Sequence, residues 1–245
     1  MHKSIASAAV AAALAVPALA NAQAPATSPL TGNVTLASDY RFRGLTQTFE
    51  EPAFQGGFDF AHSSGLYVGN WNSNVSDTFY GGAPIEMDFY AGYKPTFGDI
   101  TGDVGILYYY YPGSNVPGIG KVDNTELYAG ASWKWLSAKY FYAISDFFGL
   151  PDTKGSDYID ITATVPFGAG WGLVGHIGHQ RVKNNEPLDY TDYKIGITKD
   201  IRGWVLGAAF VDTNADAGLY TLTSGAGRDI NIGDSTVVFS LSKTF

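Results

Sequence analysis

Apolar residues recur at every second position along most of this chain, the period of an extended strand with two unlike faces, and the helical spacing of three and four is nearly absent. Ile85, Met87, Phe89, Ala91 and Tyr93 interleave with Glu86, Asp88, Tyr90, Gly92 and Lys94. One side of that segment suits hydrocarbon and the other suits water. Ile159, Ile161, Ala163 and Val165 alternate in the same way with Tyr158, Asp160, Thr162 and Thr164. So do Val34, Leu36, Tyr40 and Phe42 with Asn33, Thr35, Asp39, Arg41 and Arg43. Twelve strands are predicted, over 33–43, 54–62, 66–73, 85–94, 100–110, 125–134, 136–145, 158–166, 171–180, 191–199, 203–212 and 235–245. In the fifth, ninth and eleventh both faces carry apolar residues. A different division of strands five to seven, or of the stretch from Thr213 to Asp234, would give ten or fourteen.

The connections carry a second rhythm. Links after even-numbered strands are brief (Ser63 to Gly65, Pro95 to Asp99, Trp135, Phe167 to Gly170, Asp200 to Arg202). Links after odd-numbered strands are longer (Leu45 to Ala53, Asn74 to Pro84, Tyr111 to Asn124, Asp146 to Asp157, Arg181 to Tyr190, Thr213 to Asp234) and rich in Gly, Pro, Asn and Asp. An up-and-down barrel sorts odd and even links onto opposite rims, and outer-membrane barrels keep short periplasmic turns and long external loops. A Greek-key sandwich imposes no such order. The expected fold is therefore all-β: a transmembrane antiparallel up-and-down barrel.

Aromatic clusters fall near the predicted strand ends: Tyr108 to Tyr111, Trp133 with Trp135, Phe147 with Phe148, and Trp171 and Trp204. Tyr and Trp favour the membrane interface, because each joins an apolar body to a hydrogen-bonding tip. Val237, Phe239, Leu241 and terminal Phe245 share one face of the last segment, and a terminal Phe on an amphipathic strand resembles the assembly signal of bacterial outer-membrane barrels. Lys243 departs from that signal and is expected to snorkel.

Residues 1–22 read as a cleaved secretory signal, with His2 and Lys3 before an apolar stretch from Ile5 to Val16 and a cut after Ala22, or alternatively after Ala20. Beyond it no apolar run approaches the ~20 residues of a transmembrane helix. Residues 23–245 then form a single barrel domain.

Composition agrees. Only 16% of the 245 residues are charged, yet the mean hydropathy is −0.02, below the roughly 25% charge of soluble domains and without the apolar excess of helical membrane proteins. Interleaved outward apolar and inward polar positions produce both values. The absence of Cys removes disulfide scaffolds and thiol chemistry, and a net charge of −8 disfavours nucleic-acid binding.

The stretch from Thr31 to Gly44, with Gln47, then Pro52 to Asp59, Gly65 to Gly69 and Trp71 to Val75, resembles the TorF-type porin family, and Glu86 to Tyr93 also fits. The N-terminal block is the specific part. Beyond about residue 95 the similarity is mainly architectural. The resemblance implies an outer-membrane barrel rather than any particular solute.

Asp39, Arg41 and Arg43 on strand one, with Asp59 on its neighbour, form the most conspicuous charged constellation, readable as a charged constriction or as a structural ion-pair network. Pore-lining candidates are Asp39, Arg41, Arg43, Asp59, Glu86, Asp88, Glu126, Lys139, Asp160 and Lys194. With Asp103, Asp192, Lys94 and Lys134 added, the lumen has an acidic bias and a weak cation preference is expected. Asp212, Asn214 and Asp216 before Gly218 begin like a calcium loop, but the glycine is one place late and Thr223 stands where Glu is needed, so no metal site is expected. No cofactor is expected either. His176 should face the lumen and His179 the opposite side, His62 sits beside a tight turn, and no G-x-S-x-G is present.

The expectation is a porin-like channel for passive diffusion of small hydrophilic solutes or ions, not an enzyme. A non-conducting structural or adhesion barrel acting through its loops is the alternative, and an outer-membrane hydrolase a more distant one. Expected partners are outer-membrane lipid and lipopolysaccharide, the barrel-assembly machinery through the strand ending in Phe245, and small polar solutes, with oligomers allowed.

Overall fold

The computed structural model describes residues 29–245, so the signal segment 1–22 lies outside the described residues. Twelve antiparallel strands form one closed sheet: β1 Leu30–Ala37, β2 Ala53–Ala61, β3 Leu66–Asn74, β4 Ile85–Tyr93, β5 Ile100–Tyr110, β6 Asn124–Trp133, β7 Leu136–Ala143, β8 Asp157–Gly168, β9 Trp171–Arg181, β10 Tyr190–Ile201, β11 Trp204–Thr213 and β12 Thr236–Thr244. Each strand pairs with its neighbours in sequence, and β1 closes the cylinder against β12 with Val34 opposite Lys243 and Leu36 opposite Leu241. Closure satisfies the backbone without a free edge, the condition for crossing lipid with strands. No helix among the described residues is long and apolar enough to span a membrane.

The period of two sorts the faces as the sequence requires. Phe54, Phe58, Phe89, Ile106, Ile161, Ile195 and Phe239 all point outward and are exposed. Trp133, Trp135, Trp171, Trp204 and Phe245 lie outward at the turn end, where Lys243 stacks on Trp204 at 4.9 Å. The last residue is held there by backbone hydrogen bonds between Phe245 and Gly32 (2.8 and 3.2 Å).

The first strand is shorter than its alternation suggests. β1 ends at Ala37, and Arg41–Phe42 pairs with Leu45–Thr46 in a small hairpin folded into the loop end of the barrel. Asp39 causes the departure by collecting the side chains of Arg41, Thr46 and Thr48 (2.5, 2.6 and 3.1 Å). Tyr40 and Phe42, expected on the lipid side of strand one, are buried inside. Period two continues in the sequence through the break, although Phe42 to Thr46 are all buried in the hairpin. At its tip, Gly44 has φ +84°, and a Cβ there would lie 2.3 Å from Cγ2 of Thr213 and 2.8 Å from Cβ of Asp192. Only glycine fits this close approach to the barrel wall.

Part of the aromatic assignment also changes. Tyr108 faces outward, but Tyr109, Tyr111, Phe147 and Phe148 join Phe42 in the interior core instead of an interfacial belt. Phe148 packs on Tyr109 at 5.3 Å and on Phe42 at 6.4 Å. Leu107, on the inward face of β5, is buried in the same cluster, which explains why that strand is apolar on both sides.

Candidate functional site

The loop half of the lumen is filled. Arg43 reaches across it from the hairpin to Glu126 on β6 (2.8 Å) and Gln180 on β9 (2.6 Å), and its guanidinium stacks over the rings of Tyr158 (4.2 Å) and Phe42 (4.6 Å). Burial opposes its charge, but Glu126 together with the Tyr109 and Tyr158 oxygens outweighs that and holds the group above its ordinary range. Arg41 turns the other way, donating to Asp39 and to the carbonyls of Ile232 (3.2 Å) and Asp234 (2.8 Å) in the last loop. The hairpin is thus tied to several walls at once.

Glu86 and Asp88 are fully buried beside this core. The Tyr40 hydroxyl donates to Glu86 at 3.2 Å, and Tyr80 stacks on Tyr111 at 4.3 Å. Burial, reinforced by Glu86, pushes the Tyr40, Tyr80 and Tyr111 phenols well above their usual range, so they stay neutral.

The turn half is hollow. Two cavities of about 380 and 600 Å³ occupy it and have Arg41, Lys194 and Val211 in common. The larger is lined by small or hydroxylated residues such as Thr35, Gly196, Thr198, Gly207, Ser240 and Ser242. The smaller is flanked by charged pairs and phenols. Lys139 and the Tyr67 hydroxyl both donate to Asp103 (2.7 and 2.6 Å), and Lys94 stacks on Tyr67 at 4.4 Å. Tyr90 donates to Asp59 at 2.6 Å. His176 lies between Asp192 (Nε2 to Oδ1, 2.8 Å) and Asp160 (Nδ1 to Oδ2, 3.2 Å).

The predicted candidates are therefore not one population. Asp39, Arg41 and Arg43 sit on the inward hairpin rather than on strand one, and Asp59 belongs to a separate contact with Tyr90, so the proposed four-residue constellation does not assemble. Glu126 is Arg43's partner, and Glu86 and Asp88 are enclosed away from the hollow. Lys139, Asp160 and Lys194 do line it. Lys134 belongs to the turn after β6, with φ +55°, and stacks on Trp133. The acids that gave the lumen its acidic count are thus partly sealed off in the filled half. Gln180, expected on the lumen side with His176, and Tyr158 are Arg43's other neighbours. Inward parity on their strands marks both, and nothing local marks their reach to Arg43.

His176 faces inward and His179 outward, as their parity requires. His62 approaches Ser64 (2.8 Å) across its own exposed turn, and no acid orients the ring among the described residues. Asp216 caps the short helix Ala217–Tyr220 by accepting from the Gly218 amide (2.8 Å), and Asn214 accepts from the Thr191 amide (2.6 Å). Two members of the suggested calcium loop thus have structural partners. Among the described residues no group of three or more His, Asp or Glu is placed to hold a metal ion.

Comparison with solved structures places the fold among outer-membrane porins. The NanC porin superposes with a TM-score of 0.53 at 11% identity, covering 88% of this chain and 98% of its own. The KdgM porin, solved in complex with disordered oligogalacturonate, gives 0.52 at 6% identity, covering 88% of this chain and 97% of its own. At such identities the likeness concerns the barrel alone. No curated protein matches the sequence. Residues 20–245 do match the sequence profile of Gcw_chp, described as a bacterial protein of unknown function, and with nearly its whole length matched the chain belongs to that family.

Proposed function

We propose that this protein is a bacterial outer-membrane channel through which small hydrophilic solutes diffuse passively, with its route narrowed by the first long loop. The observation that carries this reading is the hollow of the turn half, bordered by Thr35, Ser240, Ser242 and Lys194 and enclosed by a wall whose outer face is apolar. A purely structural cylinder has no need of such a space, which packed side chains could fill, whereas a solute path needs room and inward hydroxyl and charged groups. The N-terminal resemblance to TorF-type porins points the same way. The long loops then face outward from the cell, the terminal Phe245 lies on the periplasmic side, and lipid with lipopolysaccharide surrounds the band. No step of this function asks for a nucleophile or a cofactor.

The filled loop half supports a second reading, a non-conducting barrel that acts through its loops. Planar-bilayer recording separates them. Small discrete steps are expected from the wild-type protein, and steps several-fold larger after deletion of residues 41–46. Silence from both proteins, each folded by heat-modifiable migration, would defeat the channel and leave the second reading. Sucrose-gradient fractionation should place the protein with outer-membrane markers.

A further inference from the structure

Lys194 differs from Arg41, Arg43 and Lys139. Arg43 is bound by Glu126, Arg41 by Asp39 and Lys139 by Asp103. Two carboxylates, Asp160 and Asp192, lie near Lys194, yet neither stands at ion-pairing distance from its ammonium. The reason is visible in their own partners. Asp192 uses Oδ1 for His176 (2.8 Å) and Oδ2 for the Tyr158 hydroxyl (2.9 Å). Asp160 uses Oδ2 for His176 (3.2 Å) and Oδ1 for the Thr162 hydroxyl (2.9 Å). All four acid oxygens are engaged elsewhere, and Lys194 is left half-buried where the two cavities meet.

Asp160 and Asp192 offset part of the Lys194 charge from a distance, but no group binds the half-buried ammonium directly, and a counter-ion brought by a solute would complete its compensation. Its surroundings fit an anionic solute. Ser240 and Ser242 offer hydroxyl donors in the larger cavity, and Lys94 brings a second positive charge to the smaller one. Each cavity lies within the several-hundred-Å³ range of small-molecule sites.

We infer that the turn-side hollow is a binding site for small carboxylate-bearing solutes, with Lys194 as the residue that holds the carboxylate and His176 as a positioning residue that keeps Asp160 and Asp192 from quenching it. This rests on the reading of the hollow as a solute path and names the class of solute. It also reverses the weak cation preference expected from the overall charge count.

The test is equilibrium dialysis of radiolabelled succinate, with putrescine as the cationic counter-probe, against the refolded barrel in detergent micelles. Succinate should bind and putrescine should not. Lys194→Gln should weaken succinate binding at least tenfold. His176→Gln should also weaken it although the ammonium remains, because the freed carboxylates turn to Lys194. Asp160→Asn should strengthen it several-fold. All variants are checked for heat-modifiable migration, and Lys199→Gln, whose ammonium stacks on the outward Trp171 and lines neither cavity, serves as the control that leaves binding unchanged.

No succinate binding by the wild-type barrel, unchanged affinity in folded Lys194→Gln, or tighter binding of putrescine would each overturn the inference. Dialysis needs no current. A barrel that binds succinate but passes no ions keeps this site and loses the channel, and one that conducts without binding does the reverse.

Discussion

The two halves of the barrel interior are built from the same alternating strands and treat their polar residues in opposite ways. Toward the loops, Arg43 and Glu126 are buried against each other and roofed by aromatic rings, as in the core of a soluble domain. Toward the turns, small residues such as Gly196, Gly207 and Ser240 leave space, and charged groups border a cavity. An inward-facing polar residue thus has no fixed meaning in this fold. Its role depends on whether a loop has folded over it.

The comparison is broken most severely from the filled side. Glu126→Ala would strand the Arg43 guanidinium in the aromatic core, and losing one partner of a buried pair costs about 3–5 kcal/mol. The loop half should loosen, seen as a lower midpoint of heat-modifiable migration and larger bilayer conductance. Phe42→Ala removes a fully buried ring from the hairpin and should cost a similar amount, about 3–5 kcal/mol, measured by urea unfolding in micelles. If either variant keeps wild-type stability, the loop half is not a packed core.

The hollow side should respond in function and hardly in stability. Thr35→Trp adds bulk to a side chain bordering the larger cavity and should cut single-channel conductance by more than half with little change in unfolding midpoint. A large stability loss would show that the space is smaller than its outline. Tyr90→Phe, which deletes one hydrogen bond to the Asp59 carboxylate, should cost about 1.5–3 kcal/mol. Arg228→Ala, whose partner Glu51 is exposed at the loop rim, should produce no measurable change in unfolding.

The cylinder was legible because lipid outside and polar groups inside force a period of two through most of the strands. Strand limits at Ile85, Ile100 and Trp171 fall where the alternation begins. The hairpin was not legible, since Asp39, Arg41 and Arg43 keep the parity of strand one while leaving it. Deciding between strand and inward loop requires knowing that Thr46 and Thr48 close on Asp39 and that Glu126 waits across the barrel. The first of these is a local cue, a run of Thr and Gln after Gly44. The second is a pairing over 83 positions, to which local alternation is blind. Lys194 was marked as inward by parity alone. Its lack of a bound carboxylate depends on what Tyr158, Thr162 and His176 do for its neighbours.

The ties of the inward hairpin also bear on the order in which the molecule assembles. Its partners lie 83, 137 and 191 positions downstream, on β6, on β9 and in the last loop, so they share one space only after most of the sheet has formed. Contacts of such separation form late, because the chain between them must first be ordered. Trp71, whose ring packs on Tyr40 at 5.5 Å, should therefore report a slow refolding phase after strand content has reached its final value, and a single phase shared by both signals would contradict this. The segment that follows the first strand is, on this account, the last to find its place, and until it does the cylinder stands as a wider tube than the finished protein.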